Sequence, residues 1–283
     1  MPQSSTPHET AGPITRRAAL EKLSAGALLT LGLWPGALRA ATAVPPAGEF
    51  TFVAINDTHY MSPECAGWLE RVVAQIKAER PEFVLHAGDL VDDGKRAHLA
   101  AVRGIFGKIG VPVYVQIGNH DWLTQTDRTA YEEIFPNRVN YAFEHRGWQF
   151  LGLDSSDGVR YEKTSVSEVT LRWIDARLPA LDRTRPLVLF THFPLGDGVK
   201  YRPTNADALL DRFRHHNLQA VFNGHFHGYT EHLVGAATVT TNRCCALKRF
   251  NHDGTKPKGF FVCTAKDGRI ARRFVEVSAE ASV

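Results

Sequence analysis

Five segments have the sequence pattern of β-strands, and each is followed directly by side chains of the types that bind metal ions in proteins. Asp57 and His59 come after the first of these segments, and His225 and His227 come after the last. Because ligand sites of α/β proteins lie beyond the carboxyl ends of the strands, we expect these side chains to lie close together. The complete set of candidate metal ligands is Asp57, His59, Asp89, Asn119, His192, His225 and His227.

This ligand set has the chemistry of a centre with two metal ions. Imidazole, carboxylate and amide donors suit divalent or trivalent Zn, Mn or Fe, and the lack of thiolate ligands argues against a zinc finger. Seven ligands are too many for one tetrahedral ion, but they suit two ions about 3.5–4 Å apart that share one carboxylate. Gly88, Gly118 and Gly224 stand where three of the strands end, and glycine permits the tight turns and close backbone contacts expected there.

The elements that must hold these ligands alternate between strand and helix patterns. Strands are predicted at Phe50–Ile55, Phe83–His86, 113–117 and from residues 187 and 220, with helices near 68–79, 95–109, 127–135, 168–181 and 206–214. A pair of strands is predicted to turn at Arg146 and Gly147, and from Tyr229 onward only short strands remain. This order predicts a single α/β domain whose last strands add in antiparallel fashion to the first sheet or to a second one.

The order of the motifs resembles that of the calcineurin-like metallophosphoesterase family. The motifs are Asp57-x-His59, Gly88-Asp89-x-x-Asp92, Gly118-Asn119-His120-Asp121, His192 and Gly224-His225-x-His227, and they run from about residue 50 to 228. The resemblance implies a four-layer α/β/β/α sandwich of two mixed sheets. It also implies that one metal ion is bound by Asp57, His59 and His227, the other by Asn119, His192 and His225, and that Asp89 bridges the two.

His120 and Asp92 are the catalytic residues that this resemblance implies. An imidazole near the metal ions can act as general acid on the departing alcohol, and a carboxylate partner at Asp92 would keep it cationic. Asp92 also has the position of a helix cap, and the two roles are compatible. The attacking group would be a hydroxide that bridges the two metal ions, so that no protein nucleophile is needed.

The expected substrate is a small organic phosphoester. Within the family the sequence is most similar to the class III cyclic-nucleotide phosphodiesterase group, from which it departs at residues 192–194, where a second His is common. Asp93 stands where protein phosphatases usually carry Arg, and a carboxylate there would repel a dianionic monoester. A phosphodiester and a phosphomonoester both remain open, and a metalloprotein that binds phosphorylated ligands without turnover is the alternative from another class. Substrate choice is expected to lie with the loops at 60–67, 154–167 and 194–205 and with Trp122.

Residues 1–43 have the pattern of a signal peptide, and residues 44–283 are predicted to form one catalytic domain. Arg16 and Arg17 precede an uncharged stretch over residues 23–38, which Ala41-Thr42-Ala43 follows. That stretch is short for a stable membrane span, which needs about 20 residues. Export to the periplasm or the medium is therefore expected, with a buried or amphipathic N-terminal helix as the alternative. The run TRRAALEKL resembles a twin-arginine signal, although Ala19 stands where Phe is common.

Composition limits the remaining function classes. The chain has 283 residues, of which 43% are apolar, as expected for a globular protein. A formal charge of only +3 argues against a general nucleic-acid binder, and nothing in the sequence indicates an oligomeric state. The cysteines fit neither a CxxC pair nor a zinc ribbon, and are expected to be structural. In an oxidising compartment Cys263 could instead pair with Cys244 or Cys245, since residues 237–241 and 259–264 both have strand patterns.

Overall fold

The chain forms eleven strands and five helices within residues 48–277, which are the residues that this computed structural model describes. The strands are β1 (Phe50–Ile55), β2 (Phe83–His86), β3 (Val113–Val115), β4 (Tyr141–His145), β5 (Trp148–Gly152), β6 (Leu187–Phe190), β7 (Leu218–Asn223), β8 (Thr230–Val234), β9 (Ala237–Thr241), β10 (Gly259–Lys266) and β11 (Arg269–Glu276). The helices are α1 (Pro63–Ala78), α2 (Arg96–Gly107), α3 (Thr129–Ile134), α4 (Glu168–Arg177) and α5 (Ala206–Asp211). The predicted signal peptide over residues 1–43 and the predicted domain start at residue 44 lie outside the described residues.

The strands are arranged in two mixed sheets. The first has the order β11-β10-β1-β2-β3, in which β1, β2 and β3 run parallel and β10 pairs with β1 in antiparallel fashion. The second has the order β4-β5-β6-β7-β9-β8, in which β4 and β8 are the antiparallel edge strands. The C-terminal strands are thus divided between the two sheets. The expectation that they all add in antiparallel fashion is wrong for β9, which lies parallel to β7 because β8 occupies the edge beyond it.

Side-chain alternation along the strands creates the four layers. In β1, Phe52 packs into an aromatic core between the two sheets, whereas Val53 and Ile55 point to the opposite face and pack on helices. Phe150 and Phe222 enter the same central core from the second sheet. Helices α1 and α2 cover the outer face of the first sheet, and α4 and α5 cover the outer face of the second. The predicted α/β/β/α sandwich is confirmed.

Two helix boundaries differ from the predicted ones because of a proline residue. Helix α1 starts at Pro63 rather than near residue 68, because proline at the first helical position lacks only an N–H group that would be unpaired there anyway. Helix α4 ends at Arg177 and continues as a 3-10 turn over Leu178–Ala180, because Pro179 cannot donate a helical hydrogen bond. Among the described helices none is long and apolar enough to cross a lipid bilayer.

The four cysteines are buried free thiols. Cys263 lies on β10 and packs between the two sheets, whereas Cys245 packs in the core on the helix side of the first sheet. Because the first sheet separates them, these two thiols do not form the bridge that the strand patterns left open. Cys244 accompanies Cys245 in the loop after β9 and is free as well.

Candidate metal centre

The structure brings the seven candidate ligands together at the carboxyl ends of five strands. Three of these strands, β1, β2 and β3, belong to the first sheet, and two, β6 and β7, belong to the second. Backbone hydrogen bonds tie the loops after the strands to one another, since Thr58 N donates to Asp89 O (2.9 Å) and Gly224 N donates to His192 O (2.9 Å). All seven side chains are buried. Both sheets therefore contribute to one enclosed cluster.

The first group of ligands consists of Asp57, His59, Asp89 and His227. His59 Nε2 lies 3.0 Å from His227 Nε2 and 3.5 Å from Asp89 Oδ2. His227 Nε2 lies 3.1 Å from Asp57 Oδ1. Four donor atoms thus surround one small volume.

The second group consists of Asp89, His192 and His225, with Asn119 beside them. His192 Nε2 lies 3.2 Å from each of Asp89 Oδ1, Asn119 Oδ1 and His225 Nδ1. Asp89 belongs to both groups and presents a different oxygen to each. The structure therefore places Asp89 where a bridging carboxylate would have to be.

Outer hydrogen bonds decide which ring nitrogen of each histidine faces the cluster. A carbonyl oxygen can only accept, so His192 Nδ1 donates to Ala87 O (2.9 Å) and His225 Nε2 donates to Tyr161 O (2.7 Å). His227 Nδ1 donates to a main-chain oxygen in the same way, that of Phe250, at 3.3 Å. The opposite nitrogen of each ring therefore faces the cluster, where it can bind a metal ion in place of a proton, which is the usual arrangement around a bound metal ion.

Two metal ions fit this donor set. Two lone-pair nitrogens 3.0 Å apart, such as those of His59 and His227, repel each other unless a proton or a cation lies between them. Ligands about 2.0–2.1 Å from one tetrahedral ion lie roughly 3.3 Å from one another, which is close to the separations in both groups. The mixture of imidazole, carboxylate and amide donors suits Zn, Mn or Fe.

The electrostatics of the cluster also favour cations. Burial raises the pKa of Asp57, but the nearby His227 outweighs this effect and holds that pKa well below its ordinary value. Burial lowers the pKa of His227, and the Asp57 carboxylate reverses the effect and raises it to about 11. Burial likewise opposes protonation of His192, yet Asp89 raises its pKa to about 9. The buried carboxylates thus draw positive charge into the cluster.

The main chain at the ligands adopts an uncommon conformation. Five of the seven ligands have the positive φ of the left-handed region, and the angles are 52° at Asp57, 41° at His59, 52° at Asp89, 66° at His225 and 51° at His227. Non-glycine residues adopt this region at a cost of about 1–3 kcal/mol each, and such residues cluster at functional sites. The turns therefore hold the ligand side chains in directions that ordinary extended backbone would not give.

The three glycines predicted to permit close approach pack directly against ligands. A Cβ atom on Gly118 would lie 2.1 Å from Asp89 Oδ1, and one on Gly224 would lie 2.4 Å from Asp57 Oδ2. Gly88 has φ +88° and its Cβ would lie 2.7 Å from the ring of His192. Each glycine therefore leaves the space that a ligand side chain occupies.

His120 and Asp92 lie next to the first ligand group, but their contact differs from the expected one. His120 Nδ1 donates to the main-chain oxygen of Asp92 (2.9 Å), while the Asp92 carboxylate is 3.8 Å from that nitrogen. The carboxylate instead accepts from His59 Nδ1 (3.1 Å) and from the Arg249 guanidinium. Burial raises the pKa of Asp92, and these two partners lower it to about 2. The Asp92 carboxylate thus orients the candidate ligand His59, and the main-chain oxygen of Asp92 orients His120.

Asp121 completes the turn that carries Asn119 and His120. Its carboxylate accepts from Gly118 N (2.8 Å) and from Val91 N (3.1 Å). Burial, and then the nearby Asp89, raise the pKa of Asp121 to about 7. Asp121 belongs to the motif Gly118-Asn119-His120-Asp121, but only these hydrogen bonds show that its carboxylate holds the turn.

A cavity of about 500 Å³ opens beside the cluster. Of the residues predicted to lie in substrate loops, Trp122, Val159, Tyr161 and Tyr201 line it. Arg249 and His252 line it as well, although neither was predicted, because both lie in the irregular segment between β9 and β10. In such a segment, nothing in the sequence distinguishes a basic residue that lines a cavity from a basic residue that is exposed to solvent.

A four-layer sandwich with buried candidate metal ligands at its strand ends is typical of one class of enzymes, the metal-dependent phosphoric ester hydrolases. The family model described as Calcineurin-like phosphoesterase matches residues 50–229, and the chain belongs to this family. The match covers all the motifs at the candidate centre.

Two proteins that are similar to this chain in sequence are named as phosphodiesterases. The chain is 26% identical over 233 residues to a glycerophosphodiester phosphodiesterase of Enterobacter lignolyticus, an alignment that covers 72% of this chain and 80% of that one. It is 26% identical over 204 residues to the 3',5'-cyclic adenosine monophosphate phosphodiesterase of Escherichia coli K12, covering 65% of this chain and 72% of that one. A dimetal phosphatase from Danio rerio shares the fold, with a TM-score of 0.58 at 18% identity over 82% of this chain and 100% of that one.

Proposed function

We propose that the protein hydrolyses small organic phosphodiesters at the candidate metal centre, with His120 as the general acid. The observation that carries this proposal is the pair of buried ligand groups that share Asp89, with His120 directly beside them. When bound, two metal ions would activate water and neutralise negative charge on the phosphate. The protein's own groups would position the ester and supply the proton.

His120 has the contacts that a proton donor needs. Its Nδ1 donates to Asp92 O, and in the imidazolium form Nε2 carries the second proton, the one that the departing group requires. In the reaction, the bond between phosphorus and the alcohol oxygen breaks and a bond between phosphorus and the water oxygen forms. The alcohol oxygen takes the proton from Nε2, and His120 regains one from water. Proton transfer of this kind contributes about 10²–10⁴ in rate.

A diester is favoured over a monoester by the charges around the cavity. The two relatives compared by sequence are both named as phosphodiesterases. The one arginine of the cavity lining, Arg249, is paired with Asp92, and the Asp93 carboxylate is paired with Lys95 and His98, so neither leaves a free cation for a second negative charge on the phosphate. A monoanionic diester meets less repulsion from such a lining than a dianionic monoester does.

Hydrolysis of bis(p-nitrophenyl) phosphate and p-nitrophenyl phosphate by protein loaded with Mn, Zn or Fe tests this proposal. We expect turnover of both aryl esters with a higher kcat/KM for the diester. His120→Ala should lower kcat by about 10²–10⁴ with full metal content retained. His215→Ala removes an exposed histidine outside the cavity and is the matched control.

Two results would contradict the proposal. Full metal content without turnover of either ester would favour the alternative of a protein that only binds phosphorylated ligands. Unchanged kcat in His120→Ala would remove the assigned role of that residue while leaving the hydrolase proposal intact.

We also propose that residues 1–43 direct export through the twin-arginine route and that the mature chain starts near Val44. The support is the order of Arg16 and Arg17, an uncharged stretch and Ala41-Thr42-Ala43. N-terminal sequencing of protein from the periplasmic fraction should start near Val44, and a chain that still began with Met1 would contradict the proposal. Replacing Arg16 and Arg17 together by Lys should retain the protein in the cytosol, whereas Arg39→Lys should not.

A further inference from the structure

The cavity beside the candidate metal centre has a polar part and an apolar part. Its volume of about 500 Å³ is in the range of sites for organic ligands and exceeds the space that a bare ion needs. The polar part consists of metal ligands, His120 and charged side chains. The remaining part, which we call the apolar lining, consists of Trp122, Leu123, Val159, Tyr161 and Tyr201.

The apolar lining exposes large side chains to solvent. Leu123, Val159 and Tyr161 are 47%, 43% and 57% exposed, and they are three of the eight large hydrophobic side chains that are exposed within residues 48–277. Apolar surface in contact with water costs about 25 cal/mol per Å² relative to a buried state. Three such side chains around one cavity indicate a binding surface, because isolated exposed residues would be scattered.

Hydrogen bonds hold the apolar lining in place. Trp122 Nε1 donates to Ser156 Oγ (2.9 Å), which joins the loop after β3 to the loop after β5. Gln125 Nε2 donates to Asp157 O (2.9 Å) between the same two loops. Gly158 has φ +57° and packs so closely that its Cβ would lie 2.3 Å from Gln125 O. The surface is therefore formed in advance, which lowers the entropy cost of binding.

The apolar lining is continuous with the second ligand group. The main-chain oxygen of Tyr161 accepts the hydrogen bond from His225 Nε2 (2.7 Å). The ring of Tyr201 lies 5.2 Å from the ring of His225 in an edge-on contact, and 6.2 Å from the ring of Tyr161. A ligand whose phosphate lies at the metal ligands would therefore extend its organic group over these rings.

The charged side chains that line the cavity lie outside the apolar lining and are paired with one another or with neighbouring residues. Arg249 is the one Lys or Arg side chain among the described residues that line the cavity, and its guanidinium is paired with Asp92. The Asp93 carboxylate also lines the cavity and is paired with Lys95 and with His98 Nδ1 (2.8 Å). The cation next to the apolar lining is Lys200, whose ammonium group lies 4.6 Å from the centroid of the Tyr201 ring, while the lining itself offers exposed apolar side chains to an uncharged apolar group.

We propose that the substrate is a phosphodiester with an apolar alcohol group, an aryl ring or an alkyl chain of several carbons, that binds on the apolar lining. The proposal rests on the proposed function and narrows it from small phosphodiesters in general to those with one apolar side. Leu123, Val159 and Tyr161 select this group, and the metal ligands hold the phosphate.

Calorimetric titration of the Mn-loaded protein with dimethyl-, butyl(methyl)- and hexyl(methyl)phosphinate tests this selectivity without turnover, because these anions carry the single charge of a diester and their P–C bonds resist hydrolysis. A fully buried methylene strengthens binding about fourfold. With half of that effect, about twofold per methylene, hexyl(methyl)phosphinate should bind about 30-fold more tightly than dimethylphosphinate. In the double variant Leu123→Ser/Val159→Ser this ratio should fall to about threefold or less.

The matched controls are Val169→Ser and Leu233→Ser, which remove exposed hydrophobic side chains outside the cavity and should keep the wild-type ratio. An equal ratio in the wild type and the double variant, or no dependence on chain length, would overturn the proposal. Failure of the wild type to hydrolyse bis(p-nitrophenyl) phosphate would instead overturn the proposed function. The two failures are thus distinguishable.

A further arm identifies the source of the apolar group. Phosphatidylcholine vesicles present a phosphodiester attached to a membrane lipid, and soluble alkyl p-nitrophenyl phosphates present the same chemistry free in solution. Release of headgroup from vesicles would assign the lipid source. Turnover that rises with alkyl chain length and is confined to the soluble esters would assign the free source, and either result supports the apolar lining as the selecting surface.

Discussion

Gly118→Ala provides a sharp test of how Asp89, the candidate bridging ligand, is positioned. Gly118 has φ −107° and ψ 177°, an extended conformation that alanine adopts without strain. The substitution therefore leaves the backbone preference alone and adds one methyl group. That methyl group would lie 2.1 Å from Asp89 Oδ1 and 2.4 Å from Asp89 N.

The required displacement sets the size of the effect. Real Cβ contacts are essentially never shorter than 3.0 Å, so Asp89 Oδ1 must move away by about 0.9 Å. The same oxygen accepts from His120 N (2.9 Å) and would weaken that bond as it moves. A shift of about 1 Å at a catalytic constellation costs about 10²-fold in rate, and disturbed outer contacts cost about 10–100-fold in metal affinity. We therefore expect kcat/KM to fall by about 100-fold.

The assay is hydrolysis of bis(p-nitrophenyl) phosphate at fixed Mn concentration, with metal content measured by mass spectrometry and folding by circular dichroism. Gly104→Ala is the control, since Gly104 lies inside α2 with no atom within 4 Å of its added Cβ. That control should keep full activity and gain about 0.5–1 kcal/mol in free energy of unfolding. A folded Gly118→Ala protein with normal metal content and kcat/KM within about threefold of wild type would refute the reasoning.

Three further predictions concern the candidate centre and the thiols. Asp92→Asn removes the negative charge that orients His59, so Mn affinity measured by equilibrium dialysis should fall about 10–100-fold, and an unchanged affinity would exclude this role. In the metal-free protein Asp89 raises the pKa of His192 from 6.5 to about 9. The resulting stabilisation is complete below pH 6.5 and is lost as the pH rises through 9. The chelated protein should therefore lose thermal stability over that range more steeply than the Mn-loaded protein does, and parallel curves would contradict this expectation. A thiol reagent should titrate four cysteines in denaturant and far fewer in the native protein, whereas two thiols in denaturant without reductant would indicate a disulfide.

The ligand positions were predictable because they follow from a general property of sheets. Parallel strands bring the residues after their carboxyl ends to one edge, so Asp57 and Asp89 had to be near each other once β1 and β2 were recognised. The alternation of Phe52 and Val53 likewise indicates a strand buried on both faces. Division of the C-terminal strands between two sheets was not predictable from their sequences, since short alternating strands pair equally well with either sheet edge.

The parts that sequence reasoning missed depend on loops. Arg249 reaches Asp92 across 157 positions of sequence, from a segment without regular structure. No periodicity marks such a contact, because its geometry depends on the path of the whole loop. The same holds for the partner of His120, which is the main-chain oxygen of Asp92 rather than its side chain. Motif spacing brings residues near one another but does not decide which atom of each makes the bond.

The backbone at the ligands gives an independent reason to regard the cluster as functional. Gly88 occupies the left-handed region at little cost, as glycine does in tight turns, yet Asp57, His59 and Asp89 occupy the same region at about 1–3 kcal/mol each. Glycine at these three positions would relieve that cost and would also avoid burying carboxylates and an imidazole. Selection for stability alone would therefore not retain Asp or His at these three positions. A function of these side chains would account for the cost of their conformation, and binding of metal ions to the converging donor atoms would supply free energy that offsets it.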